Sequence, residues 1–235
     1  MTNEVFDLSA SAIVNKGMSR AILKSVFKEM KEGKTPDQKT IIDFFSVDYI
    51  GGCLGKISSS MTIEQYQQKV LERCNSLHIK ERAEAKIGVD RSQLYEINPI
   101  CLSGFNYGKD ILLKVSPDGY AVSSQYSVSW IFFSTLQIYI YTITFDMHSD
   151  NIWEETYDFF YQDITSFSTE TKIVENIIKK GCLFFKKVTK KNYRVDALEI
   201  KVPNDNYSFS MRNSENVARS ISAAKAMLRE RKFMR

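Results

Sequence analysis

The spacing of apolar residues changes close to Pro99, and this change limits the chain to a helical part followed by a β-rich part. Before Pro99 the apolar residues recur every three or four positions, which is typical of amphipathic helices. After Pro99 they tend to alternate with polar residues, which is typical of strands that bury one face. We therefore predict an α+β protein with a helical region over residues 1–100 and a β domain over residues 101–235.

The first two helices have clear ends in the sequence. An apolar stripe over residues 18–31 predicts a helix that stops at Gly33. Thr35 and Gln38 then have the spacing of a capping box, with proline at the first helical position between them. The second helix should begin there and end at Gly51-Gly52.

The third helix and the last helix are predicted from the same kind of pattern. Thr62 and Gln65 repeat the capping-box spacing, and the stripe that follows can continue to Ile87, before Gly88. From Asn213 onward the helical period returns. Its apolar stripe, which we expect to close one end of the β domain, consists of Val217, Ile221, Ala224 and Leu228.

Strand candidates fill the region between these helices. Pro117-Asp118-Gly119 is a turn sequence, because proline presets φ and glycine accepts a positive φ, so it predicts a hairpin between residues 111–115 and 120–125. The further strand candidates are residues 128–133, 136–145, 153–161, 164–168, 183–188, 194–202 and 207–211.

Residues 126–145 contain no charged side chain, and a run of this length could in principle cross a membrane as a helix. Serine, threonine and glutamine interrupt the run, and the remaining residues are mostly β-branched or aromatic. This composition suits paired strands better than a helix that faces lipid. We predict strands here and no transmembrane segment.

Two short motifs resemble a known family. Phe160-Tyr161-Gln162-Asp163-Ile164-Thr165-Ser166 is similar to a strand of pleckstrin-homology-like (PH-like) domains in bacterial proteins, and Tyr207-x-Phe209 resembles their last strand. The resemblance covers the carboxy-terminal half and implies an antiparallel PH-like β-barrel or sandwich capped by a terminal helix. It implies binding or scaffolding rather than catalysis. Lipid-binding members carry Lys-x-Arg where this chain has Pro117-Asp118-Gly119.

Charge is distributed unevenly along the β domain. Sixteen consecutive residues contain no acid and carry seven bases, namely Lys179, Lys180, Lys186, Lys187, Lys190, Lys191 and Arg194. In the stretch before them, from Asp146 to Glu170, the chain has acidic residues and no Lys or Arg. Two interpretations remain open. In the first, the acidic and basic segments pair across one sheet and the lysines protect a sheet edge. In the second, the bases form an interaction patch for an acidic protein, an anionic membrane surface or RNA.

The acidic segment also offers an enzymatic alternative. Asp146, His148 and Asp150 alternate, and with Glu154, Glu155 and Asp158 they could hold a metal ion for hydrolysis. These residue types are also ordinary in solvated turns and on wet strand faces, which is the interpretation we favour. We expect His78 to lie at the surface.

No catalytic constellation is found elsewhere. Residues 51–57 resemble a phosphate loop, but Ile50 and Ile57 stand where glycine and a hydroxyl residue are required. The four cysteines have no Cys-x-x-Cys pair, and a secretory signal pattern is missing, so reduced thiols in the cytoplasm are expected. We predict a cytoplasmic binding or scaffold protein without catalytic, metal or cofactor residues. A protein is the partner that we expect first, and self-association remains an open alternative.

Overall fold

The computed structural model describes residues 20–50, 61–88, 97–108, 111–182 and 185–233. For residues 20, 176–182, 185–191 and 232–233 only the backbone is described. Within these ranges the helices are α1 (Arg20–Glu29), α2 (Pro36–Ile50), α3 (Ile63–Ser76), α4 (Ile79–Ile87) and α5 (Glu215–Phe233). The strands are β1 (Ile100–Phe105), β2 (Leu113–Val115), β3 (Ala121–Ser123), β4 (Gln125–Phe133), β5 (Gln137–Asp146), β6 (Ile152–Phe160), β7 (Ser166–Cys182), β8 (Phe185–Val202) and β9 (Asp205–Met211). The α+β class is confirmed.

Two helices begin where the sequence predicted. The hydroxyl of Thr35 accepts a hydrogen bond from the Gln38 amide at 3.2 Å, and the Thr35 amide donates to the Gln38 side chain at 3.0 Å. Thr62 and Gln65 form the same reciprocal pair at 3.2 and 2.8 Å. Each box satisfies backbone donors that the first helical turn leaves free.

The third predicted helix was wrong in one respect, because it consists of two helices. The chain turns at His78, whose backbone has a left-handed conformation with φ of 47°. This turn ends α3 and redirects α4, so that Ile79 and Ala83 become buried against the sheet. Gly88 has φ of 65° and ends α4 as predicted. The predicted stop at Gly51-Gly52 lies outside the described residues.

The strands form two main antiparallel sheets and one hairpin. The first sheet has the order β1-β4-β5-β6, and the second has the order β7-β8-β9. The hairpin β2-β3 turns at Gly119, where φ is 84°, as predicted. The uncharged run forms β4 and β5, which pair antiparallel. No helix within the described ranges is long and apolar enough to span a membrane.

The central strands β4 and β5 of the first sheet are buried on both faces, which explains why both are nearly free of charged residues. Helices α1–α4 cover one face, in a core that includes Phe27, Ile42, Phe45, Tyr66, Phe132, Tyr141 and Phe145. The second sheet and α5 cover the other face, in a core that includes Ile131, Phe133, Ile138, Ile140, Leu198, Phe209, Ile221 and Leu228. The predicted closing role of the last helix is confirmed.

The sheets form a sandwich, and the barrel that the sequence left open as an alternative was wrong for the residues described. The corner at residues 161–165 carries the chain from the first sheet to the second, where the Thr165 amide donates to the Lys201 carbonyl at 2.8 Å. As a result, in the part of the chain that the structure describes, β6 pairs only with β5 and β7 pairs only with β8. Both remain edge strands, so the two sheets do not close.

Candidate functional site

The lysine-rich segment forms the far end of a long two-stranded ribbon. Strand β9 pairs only with residues 196–202 of β8, whereas β7 and β8 continue together as far as Cys182 opposite Phe185. We call the two-stranded part, residues 172–182 and 185–195, the basic ribbon. Eleven residues at about 3.3 Å each give it a length of about 35 Å.

The sequence predicted two separate strands at 183–188 and 194–202, and this was wrong, because β8 runs without a break from Phe185 to Val202. Strand β7 likewise extends well past the predicted end at Ser168. The sequence did not indicate this continuity. Strand prediction depends on apolar residues that alternate with polar ones, and here lysines stand where apolar residues would be expected.

Backbone register places the predicted patch on both strands of the ribbon. Lys179 and Lys180 lie on β7, and the other four lysines lie on β8. Lys180 is directly opposite Lys187, and Lys186 is opposite Gly181. The side chains of all six lysines lie outside the described residues. The seventh member of the patch, Arg194, lies near the base of the ribbon and is exposed.

The base of the ribbon is held by the β2–β3 hairpin. Tyr193 is buried, and its ring centroid lies 5.0 Å from that of Tyr107. Val115 and Ala121 pack in the same small core. Arg194 is paired with Asp196, whose two carboxylate oxygens lie 2.9 and 3.0 Å from its Nε. The end of the ribbon that joins the rest of the protein therefore has a fixed position.

Of the two interpretations that the sequence left open, pairing of the acidic with the basic segment across one sheet was wrong. The acidic strand β6 belongs to the first sheet and pairs with β5, whereas the basic segments of β7 and β8 pair with each other. No Asp or Glu occurs from Asn176 to Val195. Cross-strand neutralisation by the acidic segment does not explain the lysines, because its strand β6 lies in the other sheet and its one acid on β7, Glu170, is opposite Ala197.

The acidic turn binds the protein's own donors. Asp146 is 8% exposed and accepts hydrogen bonds from Gln125, Ser149 and Asn151 at 3.1 to 3.3 Å. Burial, with positive neighbours, lowers the pKa of the partly buried His148. The exposed Asp150 accepts from Gln38 at 2.8 Å. Among the described residues no group of three potential ligands is placed to hold a metal ion.

The remaining acids of this segment lie on β6. Glu154 forms ion pairs with Arg82 at 2.6 Å and Lys86 at 3.2 Å, both on α4. Glu155 and Asp158 are exposed, as expected for the wet face of a strand. His78 is exposed as well. The possible phosphate loop at residues 51–57 lies outside the described residues.

A cavity of about 570 Å³ lies where α3, the β2–β3 hairpin, the ends of β1 and β9 and the middle of β8 meet. We call it the tyrosine cavity, because its walls include Tyr107, Tyr120 and Tyr126. The guanidinium of Arg212 lies 5.9 Å from the Tyr120 ring centroid. No local sequence pattern marks this site, since its walls come from segments more than a hundred residues apart.

The tyrosine hydroxyls at this cavity are bonded to the protein. Tyr107 donates to the Ala121 carbonyl at 3.0 Å, and Tyr120 accepts from the side-chain amide of Gln67. Burial raises the pKa of Tyr126, and the positive charge of Arg212 opposes that shift. Burial also raises the pKa of Tyr107, so Tyr107 and Tyr126 remain neutral at physiological pH and offer ring faces rather than charge.

A second, polar cavity of about 320 Å³ lies between the two sheets. Asn106 joins its walls, because its amide donates to Ser127 at 2.6 Å and its carbonyl accepts from Ser210 at 2.7 Å. Ser127 in turn bonds to Thr144 at 2.7 Å. The polar groups here bond to one another, which makes this network part of the sandwich core.

Two cysteines are described with their side chains, and both are reduced. Burial raises the pKa of the half-buried Cys74 thiol to about 11, so it is protonated and a poor nucleophile at neutral pH. Cys101 is exposed.

No family model, no curated protein and no solved structure matches this chain, so the arrangement of its residues is the guide to its function.

Proposed function

We propose that this protein is a binding module that attaches to anionic membrane surfaces through the basic ribbon. The observation that carries the proposal is the register of the ribbon, which sets Lys180 opposite Lys187 with no acid among the paired residues 176–195. Like charges directly opposite each other on a sheet reduce stability. A benefit other than folding therefore favours keeping them, and attraction to an external anionic surface supplies one.

The length and placement of the ribbon suit this role. It extends about 35 Å from a base at which Tyr193 is buried against Tyr107. Because the ribbon is fixed where it joins the rest of the protein, several of its lysines can approach one surface together. Each Lys or Arg close to an anionic leaflet contributes about 1 kcal/mol of attraction, so six lysines are enough for reversible attachment.

The residues between the lysine pairs favour a membrane over RNA. In the sequence, Leu183, Phe184 and Phe185 stand between Lys179-Lys180 and Lys186-Lys187. Apolar and aromatic residues bordered by lysines match the boundary between acyl chains and anionic headgroups. RNA-binding surfaces also use aromatic residues, so the experiment has to separate the two partners.

The fold around the ribbon supports a PH-like origin for the carboxy-terminal half. A four-stranded and a three-stranded antiparallel sheet are followed by a terminal helix that packs between them. We propose membership of that group on this order of elements and on the two short motifs. Attachment through the ribbon differs from the Lys-x-Arg mode, whose place is taken here by residues 117–119.

Sedimentation with vesicles tests the proposal on the full chain. The wild type should sediment with vesicles of phosphatidylcholine and phosphatidylserine, but not with phosphatidylcholine alone, and added salt should release it. Reversing Lys186, Lys187, Lys190 and Lys191 to Glu should abolish sedimentation without lowering the temperature of thermal unfolding, because a Glu opposite Lys180 removes the like-charge pair. A matched control reverses four lysines elsewhere, namely Lys24, Lys28, Lys39 and Lys201.

The control has the same net charge as the ribbon variant, so a specific role of the ribbon requires that the control still binds. Equal loss of binding in both variants would reduce the effect to overall charge and contradict the proposal. Binding to single-stranded RNA through the same lysines, without vesicle binding, would replace the membrane by a nucleic acid. Unfolding of the ribbon variant alone would mean that the lysines serve the fold.

A further inference from the structure

We infer that the tyrosine cavity is a binding site for a small aromatic carboxylate, independent of the basic ribbon. Its volume of about 570 Å³ lies within the range of about 300–1,000 Å³ that is usual for small-molecule sites. Its walls combine apolar and aromatic side chains with few charged groups. Such a combination binds the body of a ligand by burial and orients it by one polar contact.

The aromatic walls determine the shape of the ligand. Phe105 and Tyr126 stand edge to face with centroids 5.0 Å apart, and the Tyr120 ring lies at the turn of the β2–β3 hairpin. The hydroxyls of Tyr107 and Tyr120 are bonded to Ala121 and Gln67, so the rings are fixed. Fixed ring faces favour a flat aromatic body, which stacks with little loss of conformational freedom.

Charge at the cavity determines the polar group of the ligand. Two arginines line it, and Arg194 is neutralised by Asp196 through both carboxylate oxygens. Arg212 has no carboxylate within ion-pair distance in the described part of the chain. The other acid of the lining, Glu64, is fully exposed, so water screens its charge.

Arg212 is also positioned by the backbone. Its amide donates to the Ser103 carbonyl at 2.7 Å, which ties the end of β9 to β1. Its guanidinium lies against the Tyr120 ring, which leaves edge donors available to a second partner. A carboxylate accepts two such donors side by side, so an aromatic carboxylate satisfies the ring faces and the cation together.

Isothermal titration of the full chain with 1-naphthoate, and with neutral 1-naphthamide as the matched compound, tests this inference. Naphthoate should bind the wild type at least tenfold more tightly than the amide. Arg212→Gln should remove that preference, whereas Arg219→Gln on the exposed side of α5 should keep it. Leu71→Trp fills the cavity from an exposed position on α3 and should block both compounds.

Equal affinity for the two compounds in the wild type would overturn the inference, and so would the absence of any binding. Naphthoate binding that survives Leu71→Trp would place the compound elsewhere and would also overturn it. Thermal unfolding of each variant shows that the fold is retained. Reversal of the ribbon lysines should leave naphthoate affinity unchanged, so the outcome does not depend on membrane attachment.

Discussion

Glu154 on β6 and Arg82 on α4 form an ion pair with 2.6 Å between Oε1 and Nη1, although 72 residues separate them in the chain. Lys86, one turn further along α4, lies 3.2 Å from the other carboxylate oxygen. The pair fastens the helical layer to the outer strand of the first sheet. Since 45% of the Arg82 side chain is exposed, water screens it, and we expect at most about 1 kcal/mol from it.

Replacing Glu154 by Gln should remove the contribution of this ion pair to the free energy of unfolding, and the size of the loss should depend on pH. Burial alone would raise the pKa of Glu154, but the hydrogen bond and charge of Lys86 and the charge of Arg82 outweigh it and lower the pKa. The folded state thus favours the ionised form, so the contribution is present at neutral pH and is lost as the pH falls through the folded-state pKa.

Urea unfolding at neutral pH and at about pH 3 measures this effect, since Glu is normally protonated at the lower value. Glu154→Gln should reduce the free energy of unfolding by up to about 1 kcal/mol at neutral pH and change it little in acid. Asp158→Asn is the control, because Asp158 lies on the same face of β6 but is exposed and has no ion pair among the described residues, and it should change the neutral stability little. An unchanged neutral stability would mean that the pair contributes nothing measurable.

Tyr66 on α3 should be among the most important residues of the helical layer. It is fully buried, and its ring stacks on Phe44 with centroids 4.9 Å apart. Its hydroxyl donates to the Ser123 carbonyl at 2.6 Å, which joins α3 to the hairpin strand β3. The residue therefore contributes both burial and a hydrogen bond that is shielded from water.

Two substitutions separate these contributions. Tyr66→Phe should cost about 1–2 kcal/mol, because the carbonyl of Ser123 loses its donor. Tyr66→Ala should cost about 3–5 kcal/mol, because it also removes the buried ring. Leu71→Ala lies on the same helix at a position that is 53% exposed and should cost far less. Equal effects of Tyr66→Phe and Leu71→Ala in urea unfolding would contradict the role of the hydrogen bond.

Features fixed by neighbouring residues were predictable from the sequence. Thr35 with Gln38, and Thr62 with Gln65, need only one helical turn to form their hydrogen bonds. The turn at residues 117–119 likewise depends on the conformations of proline and glycine. The break at His78 was not predicted, because the burial of Ile79 and Ala83 against the sheet decides it, and that contact is remote in sequence.

Features that depend on distant contacts were not predictable. The length of the basic ribbon depends on pairing such as Lys172 with Val195, and the lysines carry no alternation that would indicate it. The tyrosine cavity joins Leu71, Tyr120 and Arg212, which lie in three separate parts of the chain. Composition could identify the bases and the aromatic residues, but only the sheet order shows which of them meet.

His148 should make the protein less stable in mild acid. Burial lowers its pKa, the charges of Lys34 and Arg73 lower it further, and Asp146 opposes them. Protonation is therefore easier in the unfolded chain, whose histidine titrates near pH 6.5. Stability is complete above that pH and decreases as the pH falls toward the folded-state pKa.

The free energy of unfolding, measured by urea titration between about pH 7 and pH 5, checks this prediction. His148→Gln should make the curve flatter over that interval. The chain has one other histidine, His78, which is exposed. Its replacement by Asn, which tolerates the left-handed backbone at that position, should leave the slope unchanged. If both variants keep the wild-type slope, burial of His148 does not govern the acid response.

Gly104 on β1 should tolerate no side chain, because β1 and β9 approach each other closely there. A Cβ atom at Gly104 would lie 3.0 Å from the Met211 amide nitrogen and 3.1 Å from the Ser210 carbonyl carbon. These are backbone atoms, so they cannot move aside as a flexible side chain can. The hydrogen bond from the Arg212 amide to the Ser103 carbonyl crosses the same contact and would have to stretch.

We expect Gly104→Ala to lower the free energy of unfolding by about 1–3 kcal/mol, the usual range for overpacking. Gly108→Ala is the matched control, since its Cβ would meet only the flexible end of Ile111 at 3.4 Å. The control should be neutral or slightly more stable, because alanine restricts the unfolded chain. A Gly104→Ala protein as stable as the control would show that β1 and β9 are not in close contact at this point. Gly104 and Met211 would then not form the wall of the tyrosine cavity as described.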